Sequence, residues 1–164
     1  MKIEVDDLSG PGIRALLEEH VLEMYAISPP ESVHALDLDG LRKPEITFWS
    51  VHDTDGLVGC GALKELDAVT GELKSMRTAR GATRRGVAST LLAHIVEEAR
   101  RRRYERLYLE TGAEDFFAPA RALYARFGFE ACGPFAGYTD DPNSVYLTKA
   151  LLTEGASCRR TSKA

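Results

Sequence analysis

The sequence predicts a mixed α/β domain in which helices pack on both faces of one sheet. The main evidence is the order of apolar patterns, which alternate along the chain between the periods of strands and helices. The chain has 164 residues, of which 44% are hydrophobic, enough for a single core. We therefore expect residues 1–153 to form one domain and residues 154–164 to be a disordered tail, because that segment is small, polar and basic.

The first half of the chain supplies a short strand, a helix and three longer strands. The strand KIEV precedes IRALLEEHVLEMY, whose apolar residues recur at the spacing of one helix face, a face that includes His20. Two prolines then favour a loop, with or without a short helix. ITFWSVHD and GLVGCGALKEL flank turn residues and predict a hairpin. The third strand, TGELKSMRTA, alternates poorly, which indicates a bulge or a strand lined by a ligand.

The second half continues the alternation of helices and strands. An amphipathic helix follows TRRG, and its predicted apolar stripe consists of Val87, Leu91, Leu92, Ile95, Val96 and Ala99. YERLYLET predicts a strand, and APARALYARFGF predicts a short helix that ends at Gly128. Two further strands, near FEACGPF and SVYLTKAL, complete the sheet.

Charge and composition argue against several functional classes. The net charge of -4 and the pI near 5.6 disfavour nucleic acid as a partner, because that binding depends on neutralising many phosphates. A membrane partner is not expected, since no apolar run approaches the roughly 20 residues of a spanning helix. The N-terminal residues do not resemble a signal peptide, so we expect a cytoplasmic protein. The three cysteines lack metal-site spacing, and no metal is expected.

The segment TARGATRRGVASTLL concentrates positive charge in an acidic protein. Gly86 marks the turn into a helix, with Arg84 and Arg85 before it and the small residues Ala88 and Ser89 after it. A helix N-terminus offers unpaired N–H groups and partial positive charge to an anion. The segment therefore predicts a phosphate or pyrophosphate site, and the alternative is a solvated cationic loop. Neither GxxxxGK[ST] nor GxGxxG is present.

MRTARGATRRGVASTLL, together with ALYARFGF, resembles the acetyl-coenzyme A signature of the GNAT superfamily of N-acetyltransferases. The resemblance covers residues 72–129, and the order of elements agrees throughout. It implies a mostly antiparallel, splayed sheet and acetyl-CoA as the acetyl donor. It also implies direct transfer to a primary amine of a small molecule, with no covalent enzyme intermediate. Thr83 replaces the Gln or Arg of the family pattern, and Arg84 and Arg85 are expected to supply the missing charge.

The same resemblance implies which residues contact acetyl-CoA. Backbone groups of one strand are expected to pair with the pantetheine arm, and the start of the following helix is expected to cradle the pyrophosphate. The implied contact residues are Met76, Arg77, Thr78, Arg84, Arg85, Gly86, Val87, Ala88, Ser89 and Phe117. Phe117 stands where many members have an asparagine, so packing is expected to replace a hydrogen bond.

Catalytic roles also follow from the resemblance. Glu72 is the predicted base for the amine, with Glu110 in reserve, and Tyr124 is the predicted acid for the departing thiolate. A backbone N–H of Met76 or Arg77 is the expected donor to the carbonyl oxygen. The alternatives are that Glu72 is an ordinary carboxylate at a strand edge and that Tyr124 only packs on the sheet.

The acceptor amine is expected to enter on the side opposite the cofactor. The residues predicted to bind it are Ser28, Glu31, His34 and Tyr138, with Asp140, Asp141 and Ser144 nearby. Other hypotheses stay open at this point. The chain is alternatively a non-catalytic acetyl-CoA-binding module that docks on a partner protein, or an acetyltransferase for protein lysines. A homodimer is also compatible with the sequence.

Overall fold

The computed structural model describes residues 1–151, whose elements follow the predicted order. The strands are β1 (Lys2–Val5), β2 (Ile46–Asp53), β3 (Gly56–Glu65), β4 (Thr70–Thr78), β5 (Arg106–Gly112), β6 (Glu130–Cys132) and β7 (Ser144–Ala150). The helices are α1 (Pro11–Ile27), α2 (Leu38–Leu41), α3 (Val87–Arg101) and α4 (Ala118–Arg126). The disordered tail predicted for residues 154–164 lies outside the described residues. None of the described helices has the length and apolar character needed to span a membrane.

The seven strands form one sheet in the order β1-β2-β3-β4-β5-β7-β6. All neighbouring strands are antiparallel except β4 and β5, which are parallel. That parallel ladder joins only Thr70–Leu73 to Arg106–Leu109, although both strands continue beyond it. The sheet therefore opens after Leu73 and Leu109, which confirms the predicted mostly antiparallel, splayed sheet.

A bulge in β4 explains its poor alternation. Cys60 pairs with Arg77, whereas Ala62, two residues further along β3, pairs with Lys74, so β4 contains one extra residue. Within this stretch Ser75 has a φ of 56°, a left-handed conformation that is costly for a residue other than glycine. The bulge that the sequence indicated is thus present at the point where β4 leaves β5.

The core occupies both faces of the sheet. On one face, α3 buries the predicted stripe from Val87 to Ala99 against the sheet. Each of its five larger apolar side chains contributes about 1.5–3 kcal/mol when fully buried. On the other face, α1 and α2 pack on the sheet through a second cluster that includes Leu16, Leu17, Leu41, Phe48 and Ala62. Helices on both faces were predicted, and this arrangement is confirmed.

Gly59 of β3 permits the close approach of β3 to the start of α3. A Cβ at this position would lie 2.7 Å from Val87 Cγ1 and 3.1 Å from the carbonyl oxygen of Arg77. We expect Gly59→Ala to lower the free energy of unfolding by about 1–3 kcal/mol, because backbone and a β-branched side chain must shift. Urea denaturation measures this change. Gly137→Ala is the control, since a Cβ there meets no atom within 4 Å; equal losses in both variants would contradict the account.

Candidate active site

Two adjacent cavities lie where β4 separates from β5. The larger, here called the outer cavity, has a volume of about 510 Å³ and is lined by β4, the start of α3 and α4. The smaller, here called the inner pocket, has a volume of about 100 Å³ and includes Glu72, Lys74 and Glu110. The residues that line both are His20, Met24, Met76, Phe117, Ala120 and Tyr124. Two chemically different spaces thus share one wall at the opening of the sheet.

The start of α3 has the features of an anion site. Gly86 is its N-cap residue, with a φ of 79°, and no side chain caps the first turn. The N–H groups of that turn are therefore left for a ligand or water. Val87 and Ala88 line the outer cavity, and the predicted contact Ser89 does not, among the described residues. The first turn of α3 accordingly faces the space that a phosphate would enter.

The two arginines before Gly86 differ in their surroundings. Arg85 forms ion pairs with Asp55 at 3.0 Å and Asp53 at 3.5 Å, both at the β2–β3 turn. Arg84 lines the outer cavity and forms no ion pair within residues 1–151. Its φ of 66° places it in the left-handed region immediately before the helix. Of the two predicted anion contacts, only Arg84 lies against the outer cavity.

Arg77 connects β4 to α1 through its side chain. Its guanidinium bonds to Glu19 at 2.5 Å and also to Glu23, and Arg80 pairs with the same two carboxylates. The side chain of Arg77 is therefore occupied by α1, and its backbone pairs with Cys60 of β3. The hydrogen bond from Arg77 is the largest cause that lowers the pKa of Glu23, to about 2.

This ion-pair network makes folding sensitive to acid. The pKa of Glu23 falls from 4.5 in a free side chain to about 2 in the folded protein, so the unfolded chain binds a proton more readily. The stabilisation is therefore present above pH 4.5 and is lost as the pH falls toward 2. We expect Glu23→Gln to lower the free energy of unfolding at pH 7, with a gap from the wild type that narrows toward pH 2.

Urea denaturation at several pH values measures this gap. Glu18→Gln is the matched control, because Glu18 is exposed on the same helix and forms no ion pair within residues 1–151. A gap between Glu23→Gln and the wild type that stays constant between pH 7 and pH 2 would show that the negative charge of Glu23 does not stabilise the fold.

Glu72, Lys74 and Tyr138 form a compact cluster in the inner pocket. The Glu72 carboxylate accepts hydrogen bonds from the Tyr138 hydroxyl at 2.6 Å and from Lys74 Nζ at 3.1 Å. Lys74 Nζ also donates to the Tyr138 hydroxyl oxygen at 2.9 Å. Glu72 is only 2% exposed and lies on a central strand, so its carboxylate is buried within the sheet rather than exposed at its edge.

Lys74 was missed in the sequence analysis. A signal was available, because residues two apart on a strand point to the same face, and Lys74 follows the predicted base by two positions. Desolvation and the neighbouring Glu72 carboxylate raise the pKa of Tyr138. Tyr138 consequently stays protonated and acts as a donor to Glu72.

Glu110 is the second carboxylate of the inner pocket. It is the first residue of β5 beyond the ladder with β4, so it stands at the edge of the opening. Desolvation by burial raises its pKa. Within the described chain, no lysine, arginine or histidine nitrogen lies close enough to form an ion pair with it. Glu110 thus differs from Glu72 in having no fixed cation.

Tyr124 lies at the junction of the two cavities. It is 6% exposed and lines both spaces. Burial alone raises its pKa to about 12, and no described residue bonds to its hydroxyl. Its ring packs edge-on against Phe129, with centroids 5.7 Å apart. Both the packing role and a hydroxyl directed at a ligand are therefore compatible with this position.

His20 was placed on the apolar face of α1, and it lines both cavities. Desolvation lowers its pKa to about 4, with a further contribution from Arg77. It is therefore neutral at pH 7.

Two of the four predicted acceptor-binding residues reach the inner pocket. His34 and Tyr138 line it, and their rings meet edge-on with centroids 5.0 Å apart. Ser28 instead donates a hydrogen bond to Glu114 at 2.9 Å, and Glu31 is exposed in the turn after two prolines. Within residues 1–151, neither Ser28 nor Glu31 lines either space.

Known proteins are similar to this chain in both sequence and fold. Residues 13–129 match the Acetyltransferase (GNAT) family. The chain belongs to this family. N-acetyltransferase YsnE of Bacillus subtilis is 58% identical over 92% of this chain and 100% of its own length. N-acetyltransferase YedL of Escherichia coli is 50% identical over 91% of this chain and 94% of its own. The GNAT chain is accordingly an acyltransferase.

Two solved structures extend the comparison. An acyl-CoA N-acyltransferase from Klebsiella pneumoniae has a TM-score of 0.76 at 29% identity and covers 92% of this chain and 97% of its own. A GNAT family acetyltransferase from Elizabethkingia anophelis, solved with acetyl-CoA bound, has a TM-score of 0.67 at 18% identity, with the same coverages. The GNAT fold predicted from the sequence is confirmed.

Proposed function

We propose that this GNAT domain transfers the acetyl group of acetyl-CoA directly to a primary amine of a small molecule. The observation that carries the proposal is the junction of the outer cavity with the inner pocket at Met76 and Tyr124. Direct transfer requires donor and acceptor to meet in one ternary complex, and two spaces that share a wall provide such a meeting point.

The outer cavity fits acetyl-CoA in three respects. The uncapped first turn of α3 and Arg84 suit the pyrophosphate. Beyond Leu73, β4 has no strand partner on its β5 side within the described chain, so Met76–Thr78 are available to pair with an extended pantetheine arm. The volume of about 510 Å³ lies within the range of cofactor pockets. The acetyl-CoA bound to the Elizabethkingia relative supports the same choice of donor.

The chain's own groups meet the needs of the chemistry. Acetyl-CoA supplies an activated thioester. The acceptor amine must be neutral when it attacks, and Glu72 and Glu110 are the carboxylates that face the inner pocket. Met76 supplies the backbone N–H that stabilises charge on the carbonyl oxygen, since Arg77 is paired with Cys60 of β3. Tyr124 remains protonated at neutral pH, since its pKa is raised to about 12, and it donates a proton to the departing sulfur.

The small volume of the inner pocket favours a slim acceptor group. Its volume of about 100 Å³ is smaller than the roughly 150 Å³ of a protein cavity that holds benzene. An unbranched alkyl amine fits this space better than an aromatic ring.

The Azospirillum brasilense relative named IAA acetyltransferase is 39% identical over 83% of this chain and 88% of its own, and its name supports a small-molecule acceptor.

Binding and turnover test this proposal in sequence. We expect acetyl-CoA to raise the melting temperature, because a ligand at 100 times its Kd stabilises the folded state by about 2.7 kcal/mol. We then expect CoA release with one or more of n-butylamine, putrescine, ethanolamine and L-lysine. No thermal shift with acetyl-CoA would contradict the proposed donor. A thermal shift without turnover of any amine would favour the non-catalytic binding module.

A further inference from the structure

We propose that Glu110 accepts the proton of the acceptor amine and that Glu72 is a positioning residue for Lys74 and Tyr138. This inference rests on the proposed function, since it assigns roles within the same reaction. The observations behind it are the different bonding of the two carboxylates and their different places at the opening of the sheet.

Glu72 is poorly suited to accept a further proton. One of its oxygens already accepts from both Lys74 and Tyr138, and the carboxylate is almost completely buried. Protonation of Glu72 would weaken both bonds and leave the buried ammonium of Lys74, whose side chain is 9% exposed, without its counter-charge. Both hydrogen bonds of the cluster therefore depend on the Glu72 carboxylate as their acceptor.

Glu110, unlike Glu72, has no ion-pair partner in the described chain. No cation of the described chain is paired with it, so a proton on Glu110 breaks no ion pair. Burial favours its protonated form and raises its pKa, which brings its basicity closer to neutral pH. Because its pKa is raised, Glu110 is a stronger base than an ordinary carboxylate, yet its position in a cavity keeps it within reach of an incoming amine.

The groups around Glu110 come from two strands and two connecting loops. Glu72 and Lys74 face it from β4, His34 and Tyr138 face it from the connecting loops, and Ser144 and Tyr146 face it from β7. Ser144, His34 and Lys74 lower its pKa, and Glu72 raises it, but burial has the largest effect. These neighbours leave Glu110 with an elevated pKa and an open side toward the inner pocket.

Every proton of the reaction is accounted for when Glu110 is the base. The acceptor enters as an ammonium and gives one proton to Glu110. The N–C bond forms as the C–S bond breaks, Tyr124 gives its proton to the sulfur, and the second proton of the nitrogen restores Tyr124 through solvent. Glu110 then releases its proton to solvent, so each turnover yields one amide, one thiol and one proton.

Two variants distinguish the roles. With n-butylamine, putrescine, ethanolamine and L-lysine as acceptors, we expect Glu110→Gln to lower kcat/KM by at least about tenfold at pH 7. Above pH 8, the ratio of wild-type to variant kcat/KM should fall by up to about tenfold per pH unit. An alkyl amine has a pKa near 10.4, so a growing fraction of it is already neutral in this range. Glu110→Asp should recover part of the rate at pH 7.

Glu72→Gln should behave differently. The rate of Glu72→Gln should stay low at high pH, because a neutral amine does not restore the position of Lys74. At low pH, its kcat/KM should fall with decreasing pH in the same way as that of the wild type. Wild-type rates in Glu110→Gln, or a deficit that does not change with pH, would overturn the inference and leave the proposed function standing. A wild-type protein that binds no acetyl-CoA or acetylates none of the four amines would instead refute the proposed function.

Discussion

Ala88→Glu is expected to weaken acetyl-CoA binding by about a hundredfold, or about 2.8 kcal/mol. Ala88 is the second residue of α3 and lines the outer cavity, so a glutamate there places negative charge where the pyrophosphate would bind. The same carboxylate interacts favourably with the N-terminal end of the helix, which adds about 0.3–1 kcal/mol of stability. Ala88 packs at the border of the core, so a small loss of stability is expected beside the much larger loss of binding. Calorimetric titration with acetyl-CoA and thermal denaturation measure the two effects.

Ala93→Glu is the matched control for this variant. Ala93 is exposed on the same helix and lines neither cavity within the described chain, so the substitution adds the same charge away from the site. We expect its affinity for acetyl-CoA to stay close to that of the wild type. Equal affinity in Ala88→Glu and Ala93→Glu would show that the pyrophosphate does not bind at the start of α3.

Tyr124→Phe is expected to lower kcat by about 100-fold or more, the usual contribution of a positioned general acid. The hydroxyl makes no hydrogen bond within residues 1–151, and the ring remains packed on Phe129 without it. Stability should therefore change little, and the KM for acetyl-CoA should remain close to the wild-type value. Steady-state kinetics with acetyl-CoA and a turned-over amine measure the effect.

Tyr104→Phe provides the comparison for Tyr124→Phe. Tyr104 is also buried, but its hydroxyl bonds to Glu65 at 3.3 Å and it lies outside both cavities. This variant should lose some stability and keep its kcat. If Tyr124→Phe retains full kcat, then the sulfur is protonated by another group, and Tyr124 has only the packing role that the sequence left open.

Local patterns accounted for most of the fold. The hairpin of β2 and β3 follows from turn residues between two β-rich runs, and α3 follows from a stripe that repeats at helical spacing. The opening between β4 and β5 was implied by the family resemblance, whereas the irregular pattern of β4 indicated a bulge or a strand lined by a ligand. The left-handed conformation of Ser75 could not be read from the sequence, because serine carries no strong preference for it.

The candidate site was harder to predict from the sequence, because its key contacts join residues that are far apart in the chain. Tyr138 and Glu72 are 66 positions apart in the chain, and Arg77 and Glu23 are 54 apart. Arg85 looked equivalent to Arg84, but the β2–β3 turn brings two aspartates to Arg85 alone. Such pairings depend on how the elements pack, and no local pattern encodes them.

Hydrogen–deuterium exchange with and without acetyl-CoA tests most directly whether the donor lies in the opening of the sheet. We expect slower exchange in two segments, the second half of β4 at residues 75–78 and the start of α3 at residues 84–89. Little change is expected in β1 and β2, which lie at the far edge of the sheet. Saturating acetyl-CoA that leaves both segments unchanged, or that protects only other parts of the chain, would contradict the account.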